Sequence, residues 1–363
     1  NKKIKKSFFA TDKNFKKTKL IFGFFNKIYI NIIRVLEKVV IIFFLKNKFH
    51  QSLNIIKTNI FKKININDFD IINIHWINRS MISLNEIYKI KQKTLISLHD
   101  MWFINATQHY SISRENNKNK ISKYDLNKKK KIFSKKNVYL VAHNKWMYQN
   151  AIKKWPIIKN KIFLCNYYPI NLKLFKPRNK IFLRKKYQIP IYKKIILFSA
   201  QDLNDFRKGF QYYLKIFDKL KSDNNFFFIS VGKNRPQIKD SNNNNYRHFN
   251  FMSYKKMSEI YSLSDIYIST SIIDNLPLSI IEALASGNLV ISFKNGGAEE
   301  VLKNIGYLFK TNQMNDLIEK LKKIDYEEIK NKSKLSRSFT LSKFNEKTFK
   351  KKYENILLKI NKF

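Results

Sequence analysis

The sequence predicts an α/β protein built from two doubly wound domains, each a parallel sheet with helices on both faces. Three observations carry this. Short, uninterrupted apolar runs alternate with longer helical stretches from residue 71 onward, the set of runs occurs twice, and three of the six prolines (Pro169, Pro177, Pro190) fall between the two sets. A strand without polar interruptions is buried on both faces, which is the mark of a parallel sheet covered by helices.

The first set of strands is residues 71–76 (IINIHW), 94–98 (TLISL), 137–142 (NVYLVA) and 161–164. The second is residues 194–199 (KIILFS), 225–231 (NFFFISV), 266–269 (IYIS) and 288–293 (NLVISF). The proline-bearing stretch 167–190 lacks a long period and marks the boundary. This gives an N-terminal domain over residues 1–175, a C-terminal domain over 176–345 and a closing amphipathic helix over 346–363. That helix is predicted from Phe349, Tyr353, Ile356, Leu357 and Ile360 at helical spacing. Residues 20–45 have helical apolar spacing too. The run at 39–45 (VVIIFFL), bounded by Lys38 and Lys46, reads as a buried helix rather than a membrane contact. No apolar run reaches the roughly 20 residues a membrane span needs.

Composition excludes some functions. An apolar fraction of 44% with 31 Phe is ample for two cores and rules out a disordered chain. The single cysteine, Cys165, forbids an internal disulfide and fits a reducing, cytoplasmic setting; within IFLC it reads as a buried structural thiol. The net charge of +46 invites a nucleic-acid reading, but only nine of the 72 basic residues are Arg and no nucleic-acid motif is present. No nucleic-acid partner is expected. The charge does suit an anionic membrane surface, so peripheral contact with the inner face of the plasma membrane is the matching expectation.

Glycine is scarce, and six of the seven lie in the second half of the chain. Such positions suggest positive φ or close approach of a ligand to the backbone. Around them lie the residues that can do chemistry. Phe206-Arg207-Lys208-Gly209-Phe210 follows a strand, and its two cations suit a leaving diphosphate. Asp274-Asn275-Leu276-Pro277-Leu278 leads into a helix carrying Glu282, eight residues after Asp274. The amides at that helix start suit a diphosphate, and the two carboxylates suit sugar hydroxyls. Individually these residues also read as helix caps and dipole partners. Asn295-Gly296-Gly297-Ala298-Glu299-Glu300 then brings backbone amides close to a ligand.

In order and spacing these motifs (Arg-Lys-Gly-Phe, Tyr261-x-x-x-Asp265, Asp274-x7-Glu282, Gly296-Gly297-x-x-Glu300) resemble the donor half of the retaining family 4 glycosyltransferases, which have the GT-B fold. The resemblance implies two Rossmann-like domains facing a cleft and a UDP- or GDP-linked sugar as co-substrate, with no cofactor or metal. It further implies a glycan or lipid-linked saccharide as acceptor. It assigns Arg207 and Lys208 to the diphosphate, Glu282 to the ribose and Asp274 to the transferred sugar, with Asn275, Leu276, Pro277, Leu278, Gly296 and Gly297 completing the donor site. Two positions depart from the family pattern: Asp274 stands where Glu is usual, and Asn250 where Gly is.

Asn73-Ile74-His75-Trp76 and Ser97-Leu98-His99-Asp100-Met101-Trp102, with His109-Tyr110, resemble a bacterial polysaccharide-assembly branch of the same family. There His99 stands by the reacting centre, with His75, Asp100 and His109 on the acceptor side. Asn144 occupies a position usually held by Ser. The family's opening strand and its Gly-Gly loop find no counterpart, so the N-terminal domain is expected to lack its first strand.

Asp68-Phe69-Asp70 is an Asp-x-Asp, the metal signature of the other large glycosyltransferase fold, but here it precedes a strand and reads as a strand-entry turn. Two other functions stay open on sequence: a sugar-nucleotide epimerase of similar fold, which needs no acceptor, and a non-catalytic basic protein binding nucleic acid or membrane.

Overall fold

The computed structural model describes residues 8–10, 18–20, 24–45, 50–62, 64–110, 119–234 and 244–362. It divides into two compact units. One comprises the described residues through Ala142, Tyr148–Leu164 and those from Asn355 onward; the other comprises His143–Met147 and Cys165–Glu354.

The first unit opens with a short parallel ladder, Phe8–Ala10 beside Thr18–Leu20, and the long helix α1 (Phe24–Phe44). Its sheet is four parallel strands in sequential order: β1 (Ile71–His75), β2 (Lys93–Leu98), β3 (Val138–Ala142) and β4 (Ile162–Leu164). Between them run α2 (Leu84–Lys89) and α3 (Lys120–Ser134), and α4 (Lys145–Lys154) precedes β4. Ser83 and Glu86 close a reciprocal capping box at the start of α2. On α3 the ammonium of Lys129 is fully buried. It pairs with Asp125 at 2.6 Å and donates to the carbonyls of Trp102 (2.6 Å) and Asn105 (3.0 Å), pinning the loop that follows β2.

The second unit begins with α5 (Lys180–Lys186) and β5 (Lys194–Asp202). It continues through α6 (Phe210–Leu220), β6 (Phe226–Lys233), β7 (Tyr246–Phe249), α7 (Tyr254–Leu263) and β8 (Ile266–Ser269). After these come α8 (Leu278–Ala285), β9 (Leu289–Phe293), α9 (Gly297–Leu302) and β10 (Tyr307–Phe309). Three helices close the chain: α10 (Met314–Lys323), α11 (Tyr326–Lys343) and α12 (Glu346–Lys362).

All six strands are parallel, in the order β10-β9-β8-β5-β6-β7. The chain starts at the centre, winds outward one way, then returns beside β5 and winds out the other way. The order therefore reverses between β5 and β8, the place where open α/β sheets bind ligands. Alternation along β5 splits the core in two. Ile195 and Leu197 pack with α7, α8 and α9 on one face, while Ile196 and Phe198 pack with α6 and α10 on the other. On α6, Phe210, Tyr213, Ile216, Phe217 and Leu220 form the apolar stripe that meets the sheet.

The fold matches the sequence expectation of a doubly wound α/β architecture, and all eight expected strands are present. The second unit's sheet has two more strands, β7 and β10, at its edges, where their residues are only half-buried and the apolar signal is broken. The expectation of a buried helix at 39–45 needs correction. α1 turns Ile30, Ile33 and Glu37 inward, and Leu45 just past its end is buried, but Val39, Ile42, Phe43 and Phe44 are exposed, Phe43 by 71%. The cause is the all-round apolar character of this stretch, which supplies more apolar surface than one buried face can use. No described helix is long and apolar enough to cross a membrane. Asp68 ends a 3-10 turn (Ile66–Asp68), where its carboxylate accepts from Asn65 Nδ2 at 2.6 Å. Cys165 is fully buried, which pushes its thiol up to about 11.

Candidate functional site

The loops after β5 and β8, either side of the switch point, are stitched together. Asp205 accepts the Arg207 N–H at 3.0 Å and caps the 3-10 turn Phe206–Lys208. Gly209 leaves that turn at φ 71°, and a Cβ there would lie 1.9 Å from the Thr270 carbonyl oxygen, so no other residue fits. Thr270 Oγ1 donates to Gly209 O (2.8 Å) and Ile272 N to Arg207 O (2.8 Å).

This stitching brings the predicted cations onto the predicted acid. Arg207 Nη1 reaches Asp274 Oδ2 at 3.1 Å, its Nη2 reaches Asp205 Oδ2 at 3.2 Å, and Lys208 Nζ reaches Asp274 Oδ2 at 2.6 Å. Burial acts to raise the proton affinity of Asp274, yet the charges of Lys208 and Arg207 outweigh it and hold the carboxyl below its ordinary value. Asp274 is thus an ionised acid between two cations.

Glu282 has the opposite environment. It sits on α8 against a bed of hydroxyls: Tyr261 donates to it, and Ser199 Oγ lies 3.1 Å from Tyr261 Oη and 3.2 Å from Tyr267 Oη. Burial raises its pKa to about 7, and the Tyr261 hydrogen bond only partly offsets this. Two carboxylates eight residues apart therefore differ sharply: one is fixed as an anion, the other poised to exchange a proton near neutrality.

Between them, Asn275, Leu276 and Pro277 are buried and shape the loop, while Leu278 is exposed. The Gly-Gly turn packs on that loop. Gly296 has φ 50°, and a Cβ on Gly297 would lie 1.8 Å from Asn275 O. Asn295, ahead of it, is buried with neither side-chain polar atom bonded within the described residues.

Sequence reasoning did not assign Asp205, Ser199 or the two tyrosines, although Ser199 ends the apolar run 194–199 at the switch point, where such a role is legible. Asn144 also gains a role. Its Oδ1 accepts the Met147 N–H at 2.7 Å, and its Nδ2 donates to Asn275 Oδ1 at 2.9 Å. Glu300 takes hydrogen bonds from Lys145 N (2.7 Å) and Tyr167 Oη (3.0 Å), so it is structural.

In the first unit, β1 and β2 are neighbours and deliver His75 and His99 to one sheet edge, where His75 Nδ1 lies 2.9 Å from His99 Nε2. Both rings are held below the ordinary histidine value by enclosure. Repulsion from His99 adds to this at His75, which falls to about 4, whereas Asp100 counteracts it at His99. Because part of the His75 ring is solvent-exposed, the hydrogen bond between the rings is the firmer evidence that the pair is not doubly charged. Asp100 and His109 are joined at 2.7 Å, and His109 is buried. Among the described residues no cluster of His, Cys, Asp or Glu has the arrangement of a metal site.

Residues 179–338, nearly the whole sheet of the second unit with its helices, match the family model of the glycosyl transferases group 1. The match spans less than half of the chain and makes the second unit similar to that group. The chain's fold is GT-B, shared with solved structures at low identity. Sucrose-phosphate synthase from Thermosynechococcus elongatus matches with a TM-score of 0.66 at 17% identity over 81% of this chain and 74% of that one. A glycosyltransferase from Rickettsia africae matches at 0.63 and 21%, over 83% and 79%. Anabaena HepE, solved in complex with UDP-glucose, matches at 0.63 and 13%, over 82% and 80%. Among curated proteins, none matches the sequence. Arg207, Lys208, Asp274 and Glu282 all lie inside the matched region.

Proposed function

We propose that the protein transfers a hexose from a UDP- or GDP-linked donor to a glycan or lipid-linked saccharide during surface polysaccharide assembly, with retention and without a metal. The observation that carries this is the Arg207–Asp274–Lys208 cluster with Glu282 at the switch point of a doubly wound parallel sheet. Arg207, Lys208 and the amides of the Gly296-Gly297 turn offset charge on the leaving diphosphate. The Glu282 carboxylate accepts the ribose hydroxyls, and Asp274 faces the transferred sugar. As the bond from the anomeric carbon to the diphosphate breaks, the acceptor oxygen bonds that carbon and its proton leaves with the diphosphate. His99 stands by the reacting centre, and His75 and Asp100 line the acceptor side. The Anabaena neighbour's UDP-glucose complex supports the donor class.

Peripheral contact with an anionic membrane is part of this reading. It is supported by the exposed apolar face of α1 and the net charge of +46. The test is donor turnover: incubation with UDP- and GDP-sugars should release the nucleoside diphosphate, and Arg207→Ala should abolish that release. An isomerised sugar nucleotide formed without acceptor would favour an epimerase instead.

A further inference from the structure

One chain of side chains in the first unit has two members, Ser52 and His109, with no part in the reaction as proposed. Ser52 Oγ lies 2.9 Å from His109 Nε2, and the other ring nitrogen, Nδ1, lies 2.7 Å from Asp100 Oδ2. The proton directions can be worked out. The Arg79 N–H donates to Ser52 Oγ at 3.3 Å, which leaves the serine proton available to Nε2. An ionised carboxylate only accepts, so Nδ1 carries the hydrogen. Both ring nitrogens are engaged, and none is left for an acceptor sugar.

The surroundings fix this arrangement from several sides. Arg79 presents its N–H from a left-handed backbone (φ 57°), a conformation uncommon outside glycine. Asn78 Nδ2 adds a bond to Asp100 Oδ2 at 3.2 Å, and Trp102 N donates to Oδ1 at 2.9 Å. Ser52 O accepts from Trp102 Nε1 at 2.7 Å, and Met101 N donates to His109 O at 2.9 Å. The order Ser-His-Asp is that of a hydrolase triad, but Ser52 is only 2% exposed and its oxygen already holds a backbone N–H, so it is no nucleophile. What the chain does hold is Asp100, and Asp100 is covalently next to His99.

We propose that Ser52 and His109 are positioning residues that clamp the Asp100 carboxylate and, through it, the orientation of the His99 imidazole. This moves His109 from the acceptor side to the support of His99, and it rests on the glycosyltransferase reading above. His99 Nε2 shares a proton with His75 Nδ1 at 2.9 Å, so a turn of the His99–Asp100 peptide would break that contact as well.

The experiment compares Ser52→Ala, His109→Asn and His109→Leu in the full chain, using whichever UDP- or GDP-sugar the parent turns over. Asn places a donor nitrogen where Nδ1 stood, and Leu does not. A misplaced catalytic group costs on the order of 10²-fold in rate. The clamp therefore predicts a kcat loss of about that size in His109→Leu, recovery of most of it in His109→Asn, and KM for donor and acceptor within about 2-fold of the parent in both. Imidazole 15N shifts at pH 8 give a reading independent of activity, with His109 in the Nδ1–H tautomer. A raised acceptor KM with kcat unchanged would make His109 an acceptor contact and overturn the proposal. So would equal kcat losses in Asn and Leu that follow a lowered Tm, or an Nε2–H tautomer. A parent that turns over no nucleotide sugar would sink the glycosyltransferase reading and the catalytic half of this inference, while the tautomer still decides whether the clamp exists.

Discussion

Lys208 Nζ and Arg207 Nη1 converge on a single oxygen, Oδ2 of Asp274, at 2.6 and 3.1 Å. The cations proposed for the diphosphate are therefore already arranged around an anion before any donor arrives. Such preorganisation is what lets a charged group stabilise a transition state without reorganising.

The first prediction follows from that arrangement. Arg207→Ala should lower kcat by about 10²–10³, the usual cost of removing one such group. Steady-state release of nucleoside diphosphate measures it. Asp274→Asn should also impair turnover, because it removes the anion that holds the two cations together.

Glu282 sets a pH dependence. Its folded value is raised to about 7 from an ordinary 4.5, so between those values the folded chain holds a proton that the unfolded chain has released. Stability accordingly falls as pH rises through that window and levels off above about 7, by up to about 3 kcal/mol. Glu282→Gln removes the penalty. Its Tm should exceed the parent's at pH 8, with the gap closing toward pH 4.5, while donor affinity is lost because the amide cannot accept both ribose hydroxyls. A pH series of thermal melts checks the sign.

Much of this site was legible before the fold was known, for physical reasons. Arg207, Lys208, Asp274 and Glu282 lie in short local motifs, each attached to one strand end, so spacing alone brings them to the same sheet edge. The eight expected strands were legible because parallel strands buried on both faces leave continuous apolar runs. What escaped depends on distant pairing. Ser52 meets His109 across 57 residues, and no periodicity encodes that contact. The hydroxyl bed under Glu282 joins β5, α7 and β8, and edge strands β7 and β10 expose too much surface to read as apolar. α1 misled because a helix apolar all round does not show which face will be buried.

Gly209 should tolerate no side chain. Gly209→Ala combines a left-handed φ, costing about 1–2 kcal/mol, with a Cβ 1.9 Å from the Thr270 carbonyl oxygen. The total loss of stability should exceed that conformational cost and should carry the Arg207–Lys208 turn out of place. Chemical denaturation gives the first effect, donor KM the second.

The exposed face of α1 predicts binding to vesicles with anionic lipid. Ile42→Asp with Phe43→Asp should weaken co-sedimentation with phosphatidylserine-containing vesicles by at least about tenfold, since each substitution puts a charge at the apolar boundary. Turnover of a soluble donor should stay unchanged, as neither residue belongs to the donor site. Equal vesicle binding by parent and variant would remove α1 from the account.

As proposed, the second unit holds a sugar nucleotide through Arg207, Lys208 and Glu282. Thermal shift across a panel of UDP-, GDP- and ADP-sugars tests it most directly, run on the parent, Arg207→Ala and Glu282→Ala together. A UDP- or GDP-sugar should raise the parent's Tm, and the same ligand should leave both variants unmoved. A parent indifferent to every sugar nucleotide, or variants stabilised as much as the parent, would contradict it.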